Sequence, residues 1–505
     1  MDHEGADLKG MPLKNFFICF FLSLGQICFG YPASVISVTL GQPSFLAYMG
    51  LLDPVTGKVT GNLLNIAGAT SGVFQAGAAV GVIVTAIVLD RLGRKNSVYV
   101  NSVIGLFGGA LIVGAQNISM FLAGRFFAGW SSFSFLVLTP VYTTELSPPK
   151  YRGFFVGLNA VFIGTGYSIA AWIGVGFSFS SNPVTQWRGP LGMYLIWPTL
   201  LIIIAFLSPE SPRWLMLHDR VEEAKQVIFR LHSTKGDDTF AAREFDEIKR
   251  QTAIDQKLEN SWLSMFTKAS YRRRVAITCF YCFLGQSTAI LVINNFGPTF
   301  YSALGFDTKQ TLFLTAGWVS VSIPFCLIGA FLSDIVGRRP IMLIGIGGCC
   351  VCLIVETIAV RYFEMDPTRK DLGALGVAAL FCFNAVYQVG VDVGGNVFYS
   401  EVFPNHIRSK GVALANLVLA LSDLVYLQVT PYAFANIGWR FFLVFVIISG
   451  LGWIVLLFVL PETRGMPLES VAKLFGDDPA TIAVLSESTA DEVRVHEMKS
   501  ERSEV

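Results

Sequence analysis

Apolar stretches near the length that crosses a bilayer, about 20 residues, recur from one end of the chain to the other. Short polar turns separate them. They predict twelve helices, near residues 15–38, 64–89, 96–116, 119–143, 153–178, 190–208, 275–303, 311–333, 340–361, 373–400, 410–434 and 439–460. Lipid offers no partner for a free backbone amide, so each span must bond internally as a helix.

The polar positions between spans carry a second pattern. Lys9, Lys14, Arg91, Arg94, Lys95, Lys150, Arg152, Arg338, Arg339, Arg408 and Lys410 fall on one side, together with the long basic stretch 215–274. The loops on the other side hold few bases: Lys58, Arg188, Lys309, Arg440 and the mixed run "RYFEMDPTRKD". Basic residues stay cytoplasmic, so both termini are expected inside.

A third pattern is repetition. "DRLGRK" from Asp90 returns as "DIVGRR" from Asp334, and "ELSPPKYRG" from Glu145 as "EVFPNHIRSKG" from Glu401. Trp187–Arg188 returns as Trp439–Arg440, and "PESPRW" from Pro209 as "PETRG" from Pro461. The offsets are 244, 256, 252 and 252. Four phrases in one order at nearly one offset predict two related six-helix halves, the construction of transporters that rock about a central site. The fold class expected is an all-α membrane protein, twelve transmembrane helices in two pseudo-symmetric six-helix bundles. The divisions expected are a cytoplasmic tail 1–14, a bundle 15–214, a linker with short helices 215–274, a bundle 275–475 and a disordered cytoplasmic tail 476–505.

Composition agrees. The chain is 53% hydrophobic and 14% charged, against roughly 25% charged in soluble domains. A net charge of +1 shows no nucleic-acid footprint. The nine cysteines all lie in apolar stretches. Cys279–Cys282 forms a CxxC, and Cys349, Cys350 and Cys352 cluster; metal or redox use would need partner ligands and a wet approach. They read as packing residues. No phosphate-binding GxxxxGK, HExxH or GxSxG occurs, which disfavours an enzyme and an ATP-driven pump. No cofactor or metal is expected. The sequon "NIS" at 117–119 sits in a loop too short to stand clear of the bilayer and is expected to be unoccupied.

Acids recur beside the bases at matching places. Asp90, Arg94, Glu145, Arg152, Glu210 and Arg213 in one half correspond to Asp334, Arg338, Glu401, Arg408, Glu462 and Arg464 in the other. Topology needs only bases, so these read as a cytoplasmic gate whose opposite charges pair between helices and separate on opening. Topogenic charge with local capping is the alternative.

On these phrases, with "GRFFAGW" and "DIVGRRP", residues 15–475 resemble the sugar porter family of the major facilitator superfamily, most closely its fungal members. The resemblance implies the major facilitator fold and a cytoplasmic latch formed by 215–274. It also implies a sugar-binding pattern on span 7, from which this chain departs. Gln286 matches the second glutamine of QQxxGxN, but Gly285, Ala289 and Leu291 replace the first glutamine, the glycine and the asparagine. Asn295 and Phe296 stand where an aromatic pair is usual. On span 5 the usual glutamine is Ala160, beside Asn159; on span 10 Asp392 and Val393 replace glycine–proline, and Asn396 replaces tryptophan.

A sugar site needs amides and hydroxyls for hydroxyl groups and an aromatic platform for the ring. Gln286, Asn294, Asn295, Asn384, Gln388, Asn396, Asn159 and Asn416 are the candidates. Each could instead pack between helices. Proton-coupled members carry an acid on span 1 paired with an arginine on span 4; here Pro32 takes the acid's place and Arg125 remains. That argues for facilitated diffusion or for a different proton site. Asp392 and Asp423, the latter where an asparagine is usual, are the candidates, since an acid inside a span is costly unless it faces a partner or water. Direct substrate contact and a structural role remain the alternatives.

The function expected is secondary transport of a sugar or related polyol across the plasma membrane, by proton symport or facilitated diffusion. An exporter of a fungal metabolite on the same scaffold is the rival, and a nutrient sensor is disfavoured by the short tail. The partners expected are a small-molecule substrate, protons in the symport case, and membrane lipid. No nucleic acid is expected, and the chain is expected to be monomeric.

Overall fold

The computed structural model describes residues 13–52, 62–148, 152–233, 238–258, 261–366, 368–464 and 468–477. The expected tails therefore lie largely outside the described residues, as do Lys9, Lys58, Lys150 and the side chains of Arg152 and Asp334. Among the described residues, twelve helices are long and apolar enough to cross a membrane: Leu13–Leu40, Leu63–Leu92, Arg94–Val113, Ile118–Leu146, Gly157–Ser178, Pro183–Leu207, Ala269–Ala303, Thr308–Ser333, Arg338–Met365, Lys370–Tyr399, Ile407–Ile437 and Arg440–Val459. They are spans 1 to 12 below, and they form two pseudo-symmetric six-helix bundles.

Span 6 starts earlier than hydropathy suggests. Residues 183–189 look like a polar loop, yet Asn182 caps a helix through Val184 N (2.9 Å) and Pro183 opens it. Tertiary packing overrides the local polarity. Trp187 is fully buried against Phe45 and Tyr48, and the Arg188 guanidinium lies over the Tyr48 ring at 5.1 Å. Span 7 also starts earlier, at Ala269, because Arg274 finds a buried partner at Asp477.

Glycines set how closely spans approach. A Cβ on Gly68 would lie 2.6 Å from the Gln428 carbonyl oxygen, and one on Gly72 would collide with the Gln428 side chain. The small-xxx-small spacing thus seats span 2 of the first half directly on span 11 of the second. Between the sixth and seventh spans, Pro212–Leu217, Val221–His232 and Thr239–Lys257 form a small amphipathic cluster around Trp214, Leu215, Ile228 and Ile248. The described residues between these spans touch both halves. His232 Nε2 lies 3.0 Å from the Leu146 carbonyl oxygen at the end of span 4, and Trp262 lies under Lys410 Nζ of span 11 at 5.9 Å.

Candidate functional site

Two sets of polar residues emerge, one at the charged end of the spans and one at mid-membrane. At the charged end the sequence repeat becomes a geometric repeat. Gly93 (φ 87°) and Gly337 (φ 103°) break the chain between paired spans in a conformation that L-residues avoid. Arg94 then grips Glu145 through Nε and Nη2, both at 2.7 Å, while Arg338 Nε and Nη2 donate to Glu401 Oε1 at 3.0 and 2.7 Å. Glu210 accepts the backbone N–H of Arg94 at 2.8 Å, and Glu462 that of Arg338 at 3.0 Å. Each glutamate thereby caps the next span's N-terminus, where orphan amides and the helix dipole favour an anion. Arg94 Nη1 donates to Leu89 O and Arg338 Nη1 to Ser333 O, both at 3.1 Å. Burial pushes the Glu210 carboxyl up, opposed by the amides of Ser211, Lys95 and Arg94.

Each triad lies within its own half. They tie spans 3 and 4 to the segment after span 6, and spans 9 and 10 to the segment after span 12. Asp90 looks across the halves: it interacts electrostatically with Arg94 and also with Lys410 of span 11. Of the remaining charges, Arg213 Nη2 donates to Gln251 Oε1 (3.2 Å), Arg408 Nε to Phe403 O (3.2 Å) and the Arg464 backbone N–H to Glu462 (2.8 Å).

At mid-membrane, span 7 is broken. Helix Ala269–Gln286 ends, and helix Ile290–Ala303 begins after Ala289, which sits at φ 72°. The Ser287 and Thr288 hydroxyls donate back to Phe283 O and Gly285 O, both at 2.7 Å, the same carbonyls that accept the backbone N–H groups of these two residues. Gln286 stands at this break. Its Nε2 reaches Tyr387 Oη at only 3.5 Å, and its Oε1 has no partner among the described residues. Tyr387 opens a π-helical turn, Tyr387–Asp392, in span 10; such turns re-aim side chains and favour functional sites.

The sequence candidates separate here by what their polar atoms already do. Asn384 Nδ2 donates to Trp318 O (2.5 Å) and Ser322 Oγ (3.2 Å), and its Oδ1 accepts from Gln388 Nε2 (3.1 Å). Cys326 Sγ completes Gln388 at Oε1 (3.2 Å). These two amides join span 8 to span 10. Asn295 Nδ2 donates to Leu291 O (2.9 Å), and its Oδ1 accepts from Ser71 Oγ of the other half (3.3 Å). Asn159 Nδ2 donates to Phe155 O (2.8 Å) and Thr143 Oγ1 (3.2 Å), and Asn416 Nδ2 to Val412 O (2.9 Å). Asn294 is buried, and its Oδ1 has no partner among the described residues. Asn396 is exposed and donates to Asp392 at 3.2 Å.

Asp423 is 2% exposed, and its Oδ2 has no partner among the described residues. Asp392, half-buried, lies on the π-helical turn. Both carboxyls act electrostatically on the hydroxyls of Tyr167 and Tyr387. The chemistry of a sugar site asks for an aromatic platform, for which the sequence reading named no residue; Tyr387 stands one residue before Gln388, whereas Tyr167 is brought in only by the packing of span 5 against spans 1 and 8. Arg125 lies apart from this group. Its Nη1 donates to Pro32 O (2.8 Å), its Nε to Thr70 O (3.2 Å), and Phe74 covers it at 4.2 Å. Carbonyl oxygens and a ring face stand where the resemblance implies an acid.

The halves are joined by direct bonds from mid-span to the end opposite the charged turns. Besides Ser71–Asn295, Ser168 Oγ donates to Val319 O at 3.3 Å and Trp172 Nε1 to Ser320 Oγ at 2.9 Å.

A family profile described as "Sugar (and other) transporter" matches residues 18–475. The MFS-type transporter criB of Aspergillus cristatus is 30% identical over 457 residues, covering 90% of this chain and 91% of that one. A quinate permease of Neurospora africana is 27% identical over 502 residues, covering 95% and 91%. In structure the chain is similar to the proton:xylose symporter XylE bound to 6-bromo-6-deoxy-D-glucose, with a TM-score of 0.76 at 21% identity over 92% of this chain and 99% of that one. Together with the paired triads and the broken seventh span, the profile's reach across all twelve spans places the chain in the sugar (and other) transporter family.

Proposed function

We propose that this chain is a secondary transporter of a sugar or related polyol, working by alternating access about the site bounded by Gln286, Asn294, Tyr167, Tyr387, Asp392 and Asp423. The observation that carries this reading is the break in span 7 beside Gln286: an amide at mid-membrane whose Oε1 has no partner among the described residues, next to a hinge and facing span 10. Relatives described as quinate permeases support a polyhydroxylated ring as cargo.

The triads Arg94–Glu145–Glu210 and Arg338–Glu401–Glu462 stiffen each half, so that the halves move as units. The inner gate is the approach of Asp90 to Lys410, covered by the latch 215–274. Both termini lie in the cytoplasm, by the distribution of bases, and the chain acts as a plasma-membrane monomer. Asp392 and Asp423 are the groups able to carry a proton, since Arg125 has no acid at Pro32.

The test is reconstitution. Purified protein in proteoliposomes is expected to give saturable uptake and counterflow of at least one labelled hexose or cyclic polyol. Non-saturable flux without counterflow, as through an open pore, would overturn the reading. Release of loaded metabolites without uptake of any polyol would favour the exporter, which the replaced residues of spans 7 and 10 motivate.

A further inference from the structure

The repeat sets Trp187–Arg188 in one half against Trp439–Arg440 in the other, but the two pairs are not covered alike. In the first half Trp187 is fully buried, with Phe45 and Tyr48 of the short helix Pro43–Tyr48 against its ring. Arg188 Nη2 donates to Ala115 O (2.9 Å) and Tyr48 Oη (3.0 Å). The matching connection in the second half, between spans 7 and 8, is only 304–307, too short to carry such a helix. Trp439 is left half-buried. The guanidinium of Arg440 lies 5.7 Å from its ring, and that of Arg361, from span 9, lies 5.0 Å away. Among the described residues neither guanidinium has a hydrogen-bond or ion-pair partner.

Beside this pair an open groove of about 260 Å³ runs between spans 9 and 12, lined by Ile354, Thr357, Ile358, Arg361, Trp439 and Leu443. Ile354, Ile358 and Leu443 are exposed. Nearer the charged turns the same two spans close: Cys350 Sγ reaches Val446 O at 3.6 Å, and Trp453 Nε1 donates to Leu343 O at 2.9 Å. The groove is thus an apolar wall with two cations at the end opposite the charged turns. Glu364 stands near this rim, its Oε1 3.4 Å from where a Cβ on Gly438 would lie, so two bases face one acid. A bare anion would leave the apolar wall uncovered, and a sugar would set its hydroxyls against it. An amphiphile with an anionic head fits both parts, and guanidinium groups match phosphate oxygens in shape and charge. A tryptophan at the membrane–water boundary suits the same level as a lipid headgroup.

We propose that this groove binds one phospholipid, with an acyl chain along Ile354, Ile358 and Leu443 and the phosphate held by Arg361 and Arg440 beside Trp439. The lipid supplies in the second half the cover that helix Pro43–Tyr48 supplies in the first.

Native mass spectrometry of the full chain in detergent tests it, with phosphatidylglycerol, diacylglycerol of the same acyl chains and glycerol phosphate as probes. One phosphatidylglycerol is expected to be retained about tenfold more tightly than either of the others, the scale of one charge-assisted hydrogen bond. Arg361→Gln with Arg440→Gln is expected to bring the phospholipid down to the level of diacylglycerol. Leu443→Trp, which fills the groove and leaves the arginines in place, is expected to weaken both lipids. All three positions are exposed, so the melt is expected to hold in these variants. Arg188→Gln, at the repeat-related position, is expected to leave retention unchanged. Phosphatidylglycerol held no more tightly than diacylglycerol overturns the inference, as does retention that survives the double arginine change. Glycerol phosphate bound as tightly as the phospholipid overturns it too, because the apolar wall would then do nothing.

Discussion

Arg274 and Asp477 form a two-pronged ion pair, with both N–O distances at 2.8 Å and side chains only 1% and 2% exposed. Arg274 lies in the second turn of span 7, and Asp477 follows the helix Leu468–Phe475. The Phe475 ring lies under the same guanidinium at 4.8 Å. The chain after span 12 therefore returns to hold the first turns of the span that breaks beside Gln286.

Removing one partner of such a pair leaves a buried charge uncompensated, which costs about 3–5 kcal/mol. Asp477→Ala is expected to lower the melting temperature in detergent clearly. The double change Arg274→Met with Asp477→Leu is expected to recover most of that loss. A melt unchanged by Asp477→Ala would show the pair to be dispensable.

The two triads are expected to behave alike because their geometry repeats. Glu145→Gln and Glu401→Gln each weaken charge-assisted bonds to an arginine, worth about 1.5–3 kcal/mol for bonds to charged groups. Paired melting curves and counterflow rates check this. A large loss in one half with none in the other would contradict the equivalence.

Ala289 occupies a left-handed conformation that costs an L-residue roughly 1–2 kcal/mol. Ala289→Gly is expected to be neutral or slightly stabilising, since the strain relieved offsets glycine's greater freedom when unfolded. Ala289→Val is expected to lower the melt and slow counterflow, because a branched side chain is an outlier there. Valine tolerated as well as glycine would place the hinge elsewhere.

Ser71–Asn295 and Trp172–Ser320 hold the two halves together away from the charged turns. Ser71→Ala and Trp172→Phe each delete one bond, worth about 0.5–1.5 kcal/mol. The expected result is a two- to tenfold shift toward the state open at that end. Hydrogen–deuterium exchange in spans 2, 5 and 8 should rise accordingly, and unchanged exchange in both variants would count against a gating role.

Asp392→Asn is expected to abolish pH-dependent accumulation while leaving exchange of substrate across the membrane. Proteoliposomes with and without a pH gradient report both quantities. An unaltered pH dependence would remove Asp392 from any coupling step.

Much of this molecule was readable in one dimension. A span is a local sum of apolar residues, so twelve of them could be counted, and the repeated phrases around Asp90 and Asp334 announced two halves. Glycine stands at 93 and 337 in those phrases, where the turn between adjacent spans needs a positive φ. Beyond that, the outcome depended on which distant group meets which. Asn384 and Gln388 look like free ligands in the sequence, but Trp318, Ser322 and Cys326 use them up. Asn295 bonds to Ser71, 224 residues away. Residues 183–189 read as a loop until Trp187 is seen buried on Phe45 and Tyr48. Hydropathy fixes whether a segment enters lipid, because that free energy adds residue by residue. Hydrogen-bond satisfaction is a property of pairs, and only the packed helices decide the partners of Gln286, Asp423 and Arg125.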